Sequence, residues 1–312
     1  MKNVVSVLAI SAMTTLGLAS CGGGGAGAMN GPAGNIGDAA QMKQIFASAG
    51  MGQLLSAFKP DADGMVMPDF DGLPGGVFGV ASFAAGPDFS TCVTESGNDA
   101  DIDVDGIFVN ATRKFNCSGI KYNDGTSDVT ANFVGSASVL DKDDSKKGLA
   151  GGYRYESDLA LETTSATDYL LNSWKGFVDA SATSTALKYS MELDFSFRHD
   201  FFDGGHPNYV TEFAYKFDTE YQPKDMTAPY VEGKFISKGY YKYGGVIEVN
   251  GNNMDIALTF EVEANATYDT TCGSYYRDGK FSFSDANGNK FEAVYDACNV
   301  TYMFNGQEMT DL

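Results

Sequence analysis

The sequence predicts an all-β chain: an antiparallel up-and-down meander closing into a barrel or a curved half-barrel, with short N-terminal helices. Three observations carry this. From Asp103 onward, apolar and polar residues alternate in long runs, and a period of two gives a strand one dry face and one wet face. Turn signals separate the runs, at Asn123-Asp124-Gly125, Asp203-Gly204-Gly205, Asn250-Gly251-Asn252 and Asn287-Gly288, residue types that accept the positive φ of tight hairpins. The chain is rich in side chains that suit a pleated surface, with 22 Phe and 17 Tyr. On these criteria about eleven strands are expected.

Composition narrows the classes further. With 43% hydrophobic residues, the chain has apolar area enough to offset the entropy of ordering, which excludes disorder over most of its length. Lys and Arg number 21 against 41 Asp and Glu, a formal net charge of −20. A surface this acidic repels phosphate, which excludes a general nucleic-acid binder. Two His argue against a multi-His metalloenzyme. The 312 residues suit one large domain or two modest ones.

At the N-terminus, Lys2 precedes an apolar stretch from Val4 to Leu18. It is shorter than the ~20 residues a helix needs to cross a bilayer, and it fits the core of a secretory signal. It ends in Leu18-Ala19-Ser20-Cys21. This run resembles the lipobox of bacterial lipoproteins at all four positions. The resemblance implies that residues 1–20 are a signal peptide cleaved after Ser20, that Cys21 takes a thioether-linked lipid, and that the new amino group is acylated, for instance with palmitate. With Gly22 rather than Asp after the cysteine, it also implies the bacterial outer membrane, the periplasmic and surface-exposed faces both remaining open. Residues 21–37, rich in Gly and Ala, read as a flexible tether, whose reach grows as ~5–6 Å times the square root of its length. The membrane is then a partner through the lipid anchor, since anionic headgroups repel the acidic body.

Residues 38–90 read as a small helical or irregular segment. Gly and Pro concentrate before residue 90, and tyrosines begin only at Tyr122. Asp38 and Gln41 form a capping-box pair. Met42, Ile45, Phe46 and Ala49 follow at helical spacing, and Met51, Leu54, Leu55 and Phe58 repeat it up to Pro60. One kinked or two short amphipathic helices are expected. They either cover one end of the body or lie on the membrane, and the scarcity of lysines favours the first. The apolar run from Leu73 to Ala85 reads as buried packing, with membrane insertion as the alternative. Residues 91–312 form the β-barrel-like domain.

Of five Cys, lipidation of Cys21 leaves Cys92, Cys117, Cys272 and Cys298. An even remainder in an oxidising envelope compartment implies two disulfides, with three connectivities open. Cys92–Cys117 and Cys272–Cys298 are preferred because each pair encloses a turn signal, and a hairpin turning beside Asp105-Gly106 brings Cys92 to Cys117. Free buried thiols are the alternative.

In the body, Tyr189, Met191, Leu193, Phe195, Phe197 and Phe201 alternate with Glu192, Asp194, Ser196 and Arg198. Phe213, Tyr215 and Phe217 alternate with Glu212, Lys216 and Asp218, and Tyr153, Tyr155, Leu159 and Leu161 repeat the scheme. Short links make neighbouring strands antiparallel. A one-faced sheet that curls on itself covers its own apolar side, hence the barrel or half-barrel, with the N-terminal helices filling any open side. An outer-membrane-inserted barrel shows the same alternation turned inside out. Against it stand the lipobox, the expected disulfides and a C-terminus, Met309-Thr310-Asp311-Leu312, without a final Phe.

Asp101-x-Asp103-x-Asp105-Gly106 offers three alternate carboxylates ahead of a Gly that permits a sharp turn. It resembles the opening of the EF-hand loop and other Asp-rich calcium loops, which implies a structural Ca²⁺ on Asp101, Asp103 and Asp105. The twelfth position, where a bidentate Glu belongs, is Thr112, so a solvated acidic turn is an equal reading. His199 has the parity of the apolar face. A site built from His199, Asp203 and His206 is conceivable, but one interior His and one turn His are preferred. No nucleophile elbow, P-loop or zinc motif occurs, so no catalytic residue is expected and no cofactor is required. The first functional expectation is a non-enzymatic lipoprotein holding an apolar small molecule or lipid in a cavity lined by Tyr189, Leu193, Phe195, Phe197, Phe213, Tyr215 and Phe217. A structural or surface interaction lipoprotein with a filled core is the second, and the inserted barrel the third.

Overall fold

A computed structural model describes residues 39–48, 89–98, 100–104, 108–123, 127–202, 208–249 and 252–310. The signal segment, Cys21, the tether, the second helical pattern at 51–58, the apolar run at 73–85, Asp105, Asp203 and His206 lie outside them.

Among the described residues, one α-helix, α1 (Ala39–Ser48), precedes thirteen strands. They are β1 (Val93–Asn98), β2 (Asn110–Asn123), β3 (Asp128–Asp141), β4 (Tyr153–Thr164), β5 (Asp168–Ala182), β6 (Leu187–Phe201) and β7 (Tyr209–Pro223). Then follow β8 (Glu232–Val249), β9 (Asn252–Asp269), β10 (Tyr276–Asp285), β11 (Lys290–Asp296), β12 (Asn299–Phe304) and β13 (Gln307–Glu308). Each strand pairs antiparallel with its chain neighbours, in a single 13-stranded sheet ordered β1 to β13. The expected meander is therefore the fold. The strand count rises from about eleven because marginal strands as short as β13, two residues long, show no alternation to read. Among the described residues the sheet does not close. β1 pairs only with β2, and β13 only with β12, so the closed barrel is corrected to an open sheet. Both marginal strands are short, which limits the unpaired backbone offered to another chain.

Register decides what the apolar face holds. Met191, Phe217, Gly239, Val262, Phe283, Phe291 and Phe304 lie side by side in one row from β6 to β12. Phe217, Phe283 and Phe291 are at most 1% exposed. Gly239 lets the row close, since a Cβ there would lie 1.8 Å from the Lys216 carbonyl oxygen and 2.7 Å from the Phe217 ring. A second core lies under β2 to β5, around Phe133, Tyr155, Leu159 and Trp174. A single layer buried to this degree on one face has to coil strongly over that face. Helix α1 adds cover: it packs against β8, and Met42 is fully buried in the larger core.

Strand β2 carries a bulge between Cys117 and Ile120, which oppose Phe133 and Ala131. One extra residue reverses the parity, so Phe115 and Cys117 before it and Ile120 and Tyr122 after it all pack in the same core. Both preferred disulfides are formed, with Cα separations of 5.1 Å for Cys92–Cys117 and 5.0 Å for Cys272–Cys298. The pairing of Val93 with Phe115 delivers Cys92 to its partner. The second bridge joins the β9–β10 loop to the β11–β12 turn.

Replacing Gly239 by Ala forces a methyl group into the Lys216 carbonyl. Urea unfolding of Gly239→Ala is expected to show a loss of ~1–3 kcal/mol. An unchanged midpoint would mean that the β7–β8 pair has room to spread.

Candidate functional site

The apolar face is unevenly covered. Toward the β5–β6 and β7–β8 loops it is closed: Tyr189, Phe217 and Tyr221 are at most 2% exposed. Toward the β4–β5 and β6–β7 loops it is only partly buried, along Leu170 and Asn172 of β5, Phe195, Phe197 and His199 of β6, and Phe213 of β7. The seven residues expected to line a cavity all share this face. Tyr189 and Phe217 belong to its closed end, whereas Leu193, Phe195, Phe197, Phe213 and Tyr215 are partly buried. Rings touch across the strands: Phe195 and Phe213 at 6.1 Å between centroids, Phe213 and Tyr243 at 5.3 Å, and Phe197 and Tyr209 at 5.6 Å. The arrangement is a concave aromatic strip with one sealed end. A small, partly open pocket of about 10 Å³, bordered by Tyr155, Ser157, Gly176, Met191, Leu193 and Tyr215, has room for no more than about one water.

Trp174 forms the floor of the strip. It sits between Leu159 and Phe195 in register, is 4% exposed, and lies 6.1 Å from the Phe133 ring. Its Nε1 is buried with no hydrogen-bond partner. The hydroxyls of Tyr221 and Tyr276 are also buried without one, but a phenolic O–H rotates freely and both rings lie 5.9 Å from Tyr268. An indole N–H points where the ring points. Burial pushes the phenols of Tyr155, Tyr215 and Tyr241 well above the usual tyrosine range, so the interior stays neutral. Apart from Asp168 at its rim, β4 to β7 place no charged residue on this face.

His199 stands at the partly buried end, on the face its parity predicts. Its Nδ1 lies 3.2 Å from the Tyr209 hydroxyl and its Nε2 3.3 Å from Asp168 Oδ2, and its ring stacks 3.9 Å from Phe201. Ser165 Oγ donates to Asp168 Oδ1 at 2.5 Å. Both imidazole nitrogens are thus engaged within the protein, as the interior-His reading expects.

The Asp-rich run meets a partner the sequence pattern does not include. Carboxylate oxygens of Asp101, Asp103 and Asp144 lie within 4.8 Å of one another. Asp144, in the β3–β4 loop, accepts from the Ile102 amide through Oδ1 at 3.2 Å, while its Oδ2 is buried without a partner. Asp144, Trp174, Asp168 and Tyr209 are the site residues that spacing could not supply: Asp144 comes from the β3–β4 loop, Asp168 and Trp174 from the two ends of one stretch of β5, and Tyr209 from β7.

The convex face carries the charge. Lys175 pairs with Asp158, Lys216 with Glu192, and Lys238 with Glu263, at 2.6 to 3.2 Å across adjacent strands. Exposed pairs like these add little to stability because water screens them, but they keep this face in water. Glu292 pairs with two lysines, Lys280 and Lys290, each at 2.9 Å. Burial would raise its pKa, but hydrogen bonds from Lys280, Lys290 and Ser282 outweigh that and hold it at about 2.

No family model matches this chain, and no curated protein or solved structure matches it either.

The pKa of Glu292 is depressed in the folded state, so its contribution to stability is full above its ordinary value of 4.5 and is lost as the pH falls toward about 2. Urea unfolding across this window should show Glu292→Gln losing less stability on acidification than the unsubstituted chain. Parallel pH profiles would remove Glu292 from the acid response.

Proposed function

We propose that the chain is a lipid-anchored lipoprotein of the bacterial outer membrane, non-enzymatic, whose concave face holds an apolar ligand. The observation that carries this reading is the uneven burial of β5 to β7. One end of the strip is packed shut, while Phe195, Phe197 and Phe213 at the other remain partly accessible, and a soluble body rarely leaves contiguous apolar surface without a use for it. The lipobox at Cys21 supplies the anchor. Two disulfides suit an oxidising compartment. The ion-paired convex face suits water better than lipid, so the inserted barrel stands last.

The second reading, a structural or surface interaction lipoprotein with a filled core, is favoured by the small size of the pocket under β4 to β7, about 10 Å³. Native mass spectrometry separates the readings. The full chain carrying Cys21→Ser is exported to a periplasm and purified without detergent. A monomer bearing a discrete lipid-sized adduct, lost in Phe197→Asp, is the expected result. A clean unliganded monomer supports the filled core, and failure to recover soluble protein supports the inserted barrel.

A structural Ca²⁺ at Asp101, Asp103 and Asp144 belongs to the same proposal, supported by the convergence of the three carboxylates and by the lone buried Oδ2 of Asp144. It would neutralise their mutual repulsion and tie the β1–β2 loop to the β3–β4 loop. Calorimetric titration with Ca²⁺ should give heat that Asp144→Asn abolishes. A flat titration would leave a solvated acidic turn.

A further inference from the structure

We propose that the ligand of the concave face is an uncharged acyl ester whose carbonyl oxygen accepts a hydrogen bond from Trp174 Nε1. This rests on the apolar-ligand reading above. The indole N–H is donor only, and leaving a donor buried and unpaired carries a desolvation cost that an acceptor removes. Trp174 is 4% exposed and its Nε1 has no partner. Directly opposite on β6 is Phe195, and Leu193 packs against the same core. Both are partly buried, so an acyl chain lying along the strip reaches Nε1 by parting these two side chains. A pure hydrocarbon would fill the strip but leave the donor unmet.

Charge selects among acceptors. A free fatty acid brings a carboxylate, and the concave face of β4 to β7 offers it no Lys or Arg, within a chain whose formal net charge is −20. The nearest acidic group on that face, Asp168, would repel it. An ester carbonyl accepts as well without bearing charge. Asn172, partly buried and two residues along the same face, adds a neutral amide at the level of the ester.

The chain has a single Trp, so one indole signal reports on this one group. The exported full chain carrying Cys21→Ser, free of detergent, is titrated with methyl oleate, oleate and 1-octadecene. Methyl oleate is expected to bind about tenfold tighter than 1-octadecene, the gain of one satisfied buried donor, and tighter than oleate. The indole N–H proton resonance should move downfield with methyl oleate and stay in place with 1-octadecene. Trp174→Phe should bring methyl oleate down to the affinity of 1-octadecene. If that variant does not fold, the resonance decides alone. Equal binding of ester and hydrocarbon with an unmoved resonance overturns the ester and leaves the apolar-ligand reading standing. Equal or tighter binding of oleate overturns the requirement for a neutral ligand. Binding of none of the three overturns the reading on which the inference rests.

Discussion

The structure depends on one constraint: a single layer of strands has to keep one face dry without a second sheet to press against it. Period-two alternation makes such a face, and antiparallel pairing propagates it only while every strand holds register. A slip by one residue would turn Phe217 and its row outward. The chain protects register with backbone as well as side chains. Gly239 allows the close approach of β7 and β8 beside Phe217. Gly135, at φ +122°, sits where a Cβ would fall 2.0 Å from the Asp158 carbonyl oxygen, and so lets β3 and β4 meet in the row that contains Leu159 and Trp174. The bulge at Cys117–Ile120 works in the opposite sense, shifting parity once so that both ends of β2 face the core.

Most of this architecture was legible in the sequence because it is local. The alternation of Tyr189 to Phe201 needs only neighbouring residues to be read, and it placed His199 on the inner face. The Cys92–Cys117 bridge followed from a hairpin between the two cysteines. What was not legible depends on register between distant segments. Asp144 joins Asp101 and Asp103 because the β3–β4 loop returns to the end of the sheet where the β1–β2 loop lies. Trp174 looks like any aromatic at an inward position until its neighbours are known to offer Nε1 nothing. Openness of the sheet was also beyond reach, since alternation says which way side chains point and not whether first and last strands meet.

The two faces divide the labour of the molecule. The convex side sets lysines against carboxylates of the adjacent strands, which also discourages a shifted register. The concave side is neutral, aromatic and graded, from sealed at Tyr189 and Phe217 to accessible at Phe197. A gradient of this kind gives an elongated apolar guest a direction of entry and a stopping point, which a uniformly packed core or a uniformly open groove would not. His199, clasped between Asp168 and Tyr209, holds the accessible end in shape.

The neighbour-only strand order has a kinetic consequence. Every hydrogen-bonded pair in the sheet joins strands that follow one another in the chain, so ordering any hairpin closes only the loop between its own two strands. The sheet can grow by adding one strand at a time to either margin of whichever hairpin forms first, much as a zipper runs from any engaged tooth. A chain built in this way needs no remote segment to arrive before its early strands can pair, and its N-terminal hairpins can order while the remainder is still emerging.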